Sequence, residues 1–341
     1  MSNKQLRITY FDVARFFAIF GVLAVHVGQN SLPSVIFGNY MSFGRFGVQL
    51  FFVISGATVY LTYAKAHATS ENPVSVFYIK RFFRIIPLFI LMAGIYWFFD
   101  DIPFFKTIIP WNGINPDVYN NIEGGWSIWN EMYFYLFFPL YFKFRKSKSL
   151  NTIFPIMFVF ISVLINFRYF GLNDSELLKD FDYLNFFTQF VCFVIGVEYL
   201  GKNYFNLLVY VFSYLTIGFL AKYLFFRDML LVANYGASYW TPLIGLVCLG
   251  FIVCVKYIMK WPVSQRLRAV KMLSYLGTKT YTTYMVHFLI IRLLVHLNWV
   301  FVFEFQLLLV ATSSFMVTIL IEKYTEGYWV GLGQKIIHKY L

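Results

Sequence analysis

Arg15 and His26 lie in the first long apolar run of the chain, Ile8–Val27, where ionisable groups are out of place. In a helix their separation is about 16.5 Å of rise and close to three full turns, so both point the same way. Asp12, three residues before Arg15, shares that stripe. A charge inside a bilayer costs at least about 2.5–3.5 kcal/mol on insertion scales, so it usually marks a pathway or a reaction centre. An arginine near one surface and a histidine near the other point to chemistry organised across a membrane. Glu131, His287 and the Ser55-Gly56 pair lie in other apolar runs at compatible depths. A histidine near neutral pKa can take a proton from a hydroxyl, and a carboxylate can orient its imidazole. The same residues also fit separate structural polar contacts between helices. His67 and His338 sit in polar surface segments and His296 at a span end, where no chemistry is expected of them.

A second group is Lys80-Arg81-Phe82-Phe83-Arg84. Arg81 and Arg84 share one helical face at the expected cytoplasmic start of a span beginning near residue 84. Cations there oppose the helix dipole and adjoin the free amides that bind phosphate. A polyanionic cytosolic ligand would relieve that conflict. Snorkelling to acidic lipid, with the helix starting elsewhere, is the other reading.

The elements that must hold these residues follow from composition. Hydrophobic residues make up 60% of the 341 and charged residues 13%, with a mean hydropathy of +0.65. A soluble chain carries about 25% charge. We therefore expect an all-α polytopic membrane protein, with one transmembrane domain over residues 1–341 and no appended soluble domain. Ten spans can be drawn, at 8–28, 46–64, 84–100, 126–143, 151–169, 184–201, 204–222, 237–257, 274–297 and 299–321. The first is too long for a signal-peptide core, lacks a small-residue cleavage site and reads as a retained span. With both termini cytoplasmic, the inner segments hold 20 lysines and arginines and the outer segments six. That asymmetry is the positive-inside pattern. It accounts for most of the net charge of +12 through topology and anionic headgroups, so no nucleic-acid partner is needed. The outer loops, 100–125 and 171–183, carry Asp100, Asp101, Asp117, Glu123, Asp174, Glu176, Asp180 and Asp182. They fit an acceptor site or plain solvated connections. Cys192, Cys248 and Cys254 give no disulfide framework and no metal motif.

Five fragments, in order along most of the chain, resemble the membrane-bound acyltransferase 3 family, the O-acyltransferases that modify bacterial surface polysaccharides. YFDVARFFAIFGVLAVH carries the Arg-x10-His spacing at Arg15 and His26, and GVQLFFVISGATVY carries Ser55-Gly56. FYIKRFFRIIPLF carries the Arg-x-x-Arg element at Arg81 and Arg84. GGWSIWNEMYFYLFFPL carries Trp126, Ser127 and Glu131, followed by Tyr135, and YTTYMVHFLI carries Tyr284 and His287. The chain departs at Ala57-Thr58, where family members often have Phe then Val or Leu, a difference bearing on packing or donor acyl size. Residues 145–270 contribute little to the resemblance.

The resemblance implies transfer of an acyl group, most often acetyl, from cytosolic acyl-CoA to a hydroxyl of a surface glycan or lipid-linked sugar at the bacterial cell membrane. On that reading Arg81 and Arg84 hold CoA phosphates and Arg15 lines the donor channel. His26 is general base or transient acyl carrier, with Glu131 as its carboxylate partner. Ser55, Gly56, Tyr284, His287 and Asp12 line the pocket, and no metal is implied. The competing class is an ion-coupled transporter or lipid flippase using the buried Arg, His and Glu as a relay. The spans show neither the inverted repeat nor the paired broken helices of that class.

Overall fold

The computed structural model describes residues 9–34, 44–100, 122–161 apart from 148, 152, 155 and 159, 184–225, 241–261 and 267–341, with isolated positions 104 and 108. The acidic loop residues Asp101, Asp117, Asp174, Glu176, Asp180 and Asp182 lie outside them.

The described residues are helical, in chain order α1 (Thr9–Gly28), α2 (Phe46–Thr69), α3 (Pro73–Asp100), α4 (Gly125–Phe144), α5 (Phe186–Gly201) and α6 (Tyr204–Phe225). There follow α7 (Thr241–Ile258), α8 (Arg268–Gly277), α9 (Thr280–His296), α10 (Phe303–Ile321) and α11 (Glu326–Tyr340). Among these residues the strand-like pairing is an isolated parallel bridge, Leu32 to Val302. Helices dominate because backbone groups in lipid must bond within their own segment. By length and composition α1, α2, α3, α7 and α10 can each cross a membrane.

Two expected boundaries are corrected. α3 begins at Pro73, not near residue 84. Proline suits a first helical position, where its missing N–H would have no partner. Arg81 and Arg84 thus lie in the third and fourth turns, where the backbone N–H groups are used within the helix. The free amides expected beside them are at the far end of two further turns. The expected span 274–297 is also interrupted. α8 ends at Gly277, its C-cap Thr278 bonds back to Leu276 and Tyr275, and α9 starts at Thr280.

The chain forms two compact units, each assembled from separate stretches. One contains residues 1–51, 83–89 and 248–332. In it α1 packs on α8, α9 and α10. Gly277 of α8 lies against the backbone carbonyl of Asp12, and Phe16 stacks on Phe315 with ring centroids 6.0 Å apart. Thr283 and Thr318 join α9 to α10 by a hydroxyl–hydroxyl bond of 3.1 Å.

The other unit contains residues 52–82, 90–247 and 333–341. Here α2 and α5 pack backbone to backbone. A Cβ at Gly56 would overlap the Phe193 carbonyl, and one at Gly196 would overlap the Val53 carbonyl. Between membrane helices, where lipid tails are as apolar as leucine, such close approach gains van der Waals contact and drives association. Phe134, Phe158, Phe190 and Phe193 fill the space beside this contact. Phe134–Phe193 and Phe158–Phe190 stack with centroids 4.3 and 4.1 Å apart. A buried ion pair is set into this aromatic mass. Both oxygens of Glu198 accept from Arg145 Nε at 3.0 Å, and Tyr141 Oη donates to Glu198 at 2.5 Å.

Candidate active site

In the first unit the last turn of α1 carries His26. Its Nδ1 faces Gln29 Oε1 at 3.2 Å. Since an amide oxygen only accepts, this contact is a hydrogen bond in the tautomer that carries the proton on Nδ1. The imidazole of His287, on α9, lies beside it with ring centroids 5.5 Å apart. Phe288 touches both rings, 4.4 Å from His26 and 4.1 Å from His287. His26 is half-buried, whereas His287 has no exposed surface. His287 Nδ1 donates to the Tyr284 carbonyl at 2.6 Å, and its Nε2 is buried with no hydrogen-bond partner. Tyr284 itself is buried and packs edge-on against Phe51. Two expected site residues from distant parts of the sequence are therefore neighbours.

The same unit holds a charged group. Arg15 donates to Asp12 at 2.9 Å along α1, and Arg84 pairs with Glu326 at 3.6 Å. Lys279 pairs with Glu322. Glu326 opens α11, beyond the last candidate span. Burial pushes its carboxyl above the usual range; Arg84 opposes that, Glu322 adds to it, and Lys279 and Arg15 also oppose it. Sequence reading missed Glu326, which is 242 residues from Arg84 and sits in a segment without a span pattern.

The second unit brings together Ser55 and Glu131. Ser55 Oγ donates to Glu131 Oε1 at 2.5 Å, and Tyr135 Oη donates to the same oxygen. Ser55 Oγ and Tyr135 Oη lie 3.0 Å apart. Three backbone features set this up. Gly124, at φ 76, turns the chain into α4 in a left-handed conformation that other residues avoid. Ser127 Oγ donates to the Gly124 carbonyl at 2.9 Å and holds that turn. Gly56 lets α5 approach the α2 backbone next to Ser55. Tyr135 is one helical turn after Glu131, a spacing that makes the two side chains neighbours, and it was the legible signal for this third member. Its ring carries the Arg81 guanidinium 4.9 Å above the centroid. Arg81 Nη2 also donates to Thr62 Oγ1 at 2.7 Å, and the residue is only 8% exposed. Arg81 is thus enclosed by α2, α3 and α4 side chains, while Arg84 is half-exposed and paired to a largely buried Glu326.

The histidine pair can accept a proton from a hydroxyl. The Ser55–Glu131–Tyr135 group binds one carboxylate oxygen with two hydroxyls. Arg15, Arg81 and Arg84 supply cations suited to phosphate.

A family model described as "Acyltransferase domain" matches residues 8–322 of this chain. Among curated proteins, the chain is 26% identical over 164 residues to a protein named acyltransferase MdmB, from Streptomyces mycarofaciens. That alignment covers 42% of this chain and 41% of the relative's length. No solved structure matches significantly.

Proposed function

We propose, from the premise that this chain belongs to the acyltransferase-domain family, that it is an integral-membrane O-acyltransferase. It moves an acyl group, acetyl in the simplest case, from cytosolic acyl-CoA to a hydroxyl of a surface glycan or lipid-linked sugar. Family membership supports acyl transfer, and the five long apolar helices support a membrane location. The observation that carries the chemistry is the histidine pair. A half-buried His26 beside the sealed His287 supplies proton acceptors within apolar helices.

The donor fits the cations. Acyl-CoA is a polyanion, and arginine offers phosphate a planar fork of donors. Arg81 and Arg84 meet the phosphates through their guanidinium groups, and Arg15 lines the donor path. Asp12 and Glu326 neutralise Arg15 and Arg84 until the ligand arrives. Free helix-end amides take no part, because α3 starts at Pro73, more than two turns before Arg81. His26 acts as general base or transient acyl carrier. Tyr284, His287 and Asp12 line the pocket in its unit; in the other unit Glu131 is the catalytic carboxylate, with Ser55 and Gly56 as its pocket residues. The setting is the bacterial cell membrane, crossed about ten times with both termini in the cytoplasm.

Radiolabelled acetyl-CoA with purified protein in liposomes tests this reading. Steady release of CoA thiol supports it. No CoA-dependent chemistry alongside intact ion-coupled uptake would instead establish a transporter. Surface-glycan acetylation measured with and without the gene tests the acceptor class: acetyl groups that persist without it point to another acceptor.

A further inference from the structure

A buried polar atom left without a partner costs about 1–3 kcal/mol, so each one requires a reason. Nε2 of His287 is such an atom, in a residue with no exposed surface. Its chemical form follows from the other ring nitrogen. Nδ1 donates to the Tyr284 carbonyl at 2.6 Å, so Nε2 carries a lone pair and can only accept. The His26 ring, 5.5 Å away, has its Nδ1 proton directed to Gln29 Oε1. In that tautomer of His26, two adjacent imidazoles both have Nε2 as the basic nitrogen. Moving one hydroxyl proton needs one base, so the second imidazole has capacity for another task. Access separates them: His26 is half-buried and reachable, whereas His287 has no exposed surface, so an acceptor hydroxyl meets its Nε2 only when the two rings part.

Resting on the acyl-CoA reading above, we propose that the histidines divide the reaction, His26 carrying the acyl group and His287 Nε2 taking the proton of the acceptor hydroxyl. In the first half, the His26 Nε2 lone pair adds to the thioester carbonyl carbon. The carbon–sulfur bond breaks with its electron pair on sulfur, and the proton shed from His26 Nδ1 ends on that sulfur as CoA thiol. In the second half, the acceptor oxygen adds to the acyl carbon of acyl-His26 while its proton passes to His287 Nε2. The carbon–nitrogen bond breaks with its pair on His26, and His287 returns the proton to His26. An ester leaves, and both imidazoles are neutral again.

Two substitutions at His287 separate this role from packing. Asparagine can donate to the Tyr284 carbonyl as Nδ1 does, but places nothing at Nε2. Glutamine puts an amide near the Nε2 position and cannot take a proton. With radiolabelled acetyl-CoA and purified full-length protein, wild type should turn over slowly using water as acceptor. His287→Asn should release about one CoA thiol per protein and then stall, with the label held on the peptide containing His26. Its steady turnover should fall about 10²-fold or more, as for loss of a general base. His287→Gln should stall in the same way, and carries the test if His287→Asn does not fold. Adding His26→Ala to either variant should abolish the label. Turnover by His287→Asn within a few-fold of wild type overturns the proposal. So does label on a residue other than His26, or a folded variant that binds CoA and releases no thiol. If wild type itself releases no CoA thiol, the acyl-CoA reading fails, a result visible before any variant is compared.

Discussion

In one unit His287 Nε2 is buried without a partner beside His26; in the other, a single oxygen of Glu131 collects the hydroxyls of both Ser55 and Tyr135. Both groups place polar atoms among apolar helices, and both draw on two or more elements. They differ in what is left over. In the carboxylate group both hydroxyls share one oxygen, and Tyr135 is further held under Arg81. The histidine pair keeps a buried basic nitrogen without a partner, which costs stability.

The arginines give the largest expected effect outside the histidines. Arg81 is locked into the carboxylate network through Tyr135, and Arg84 into the charged group of the histidine unit. A hydrogen bond to a charged group contributes about 1.5–3 kcal/mol, or about 10- to 100-fold in affinity. Arg81→Ala with Arg84→Ala should raise the KM for acetyl-CoA by about 10²-fold or more with protein levels retained. Lysine at either site should recover only part, having no fork. Unchanged CoA affinity in the double variant would return these residues to topology and lipid contact.

Glu131→Gln should lower kcat by about 10- to 100-fold, less than loss of a general base, which costs about 10²–10⁴. Glutamine keeps the shape and an acceptor oxygen but loses the charge that draws in the Ser55 and Tyr135 hydroxyls. A drop as deep as that of a histidine variant would make Glu131 a proton carrier on a par with the histidines.

A structural substitution sharpens the same contrast from the packing side. Gly56→Ala drives a methyl into the Phe193 carbonyl, and overpacking typically costs about 1–3 kcal/mol. Thermal unfolding in detergent should begin at a clearly lower temperature than wild type. An unchanged Tm would mean that the α2–α5 contact relaxes freely.

Sequence reading reached some of this and not the rest, for physical reasons. The bounds of α1, α2 and α10 follow apolar runs that end in polar turns, so hydropathy finds them. α3 was cut short because Lys80, Arg81 and Arg84 interrupt the apolar pattern, although Pro73 marked the true start. Long basic side chains can ride on a helix that still continues. Gly277 marked the break before α9, but the apolar run over it concealed the stop. α11 has no span pattern, yet supplies Glu326 to Arg84. Within the site, His26–Gln29 and Glu131–Tyr135 lie one turn apart and were legible as helix neighbours. The His26–His287 and Ser55–Glu131 contacts are tertiary; sequence gave compatible depths, and only folding supplied the pairing.

The smallest expected effect is on pH dependence. Burial raises the folded-state pKa of Glu326. The folded protein therefore holds a proton that the unfolded chain has released, between the unfolded and the raised folded value. Stability declines as pH rises through that window and levels off above it. Glu326→Gln should flatten this slope in unfolding experiments run from acid to neutral pH. An equal slope in the variant would assign the titration to another group.

The most direct measurement compares CoA thiol release from acetyl-CoA by wild type and His26→Ala, both purified, folded and embedded in liposomes. The account predicts sustained release by wild type and, for His26→Ala, release at least about 10²-fold lower with CoA binding retained. Release by His26→Ala within a few-fold of wild type would contradict it.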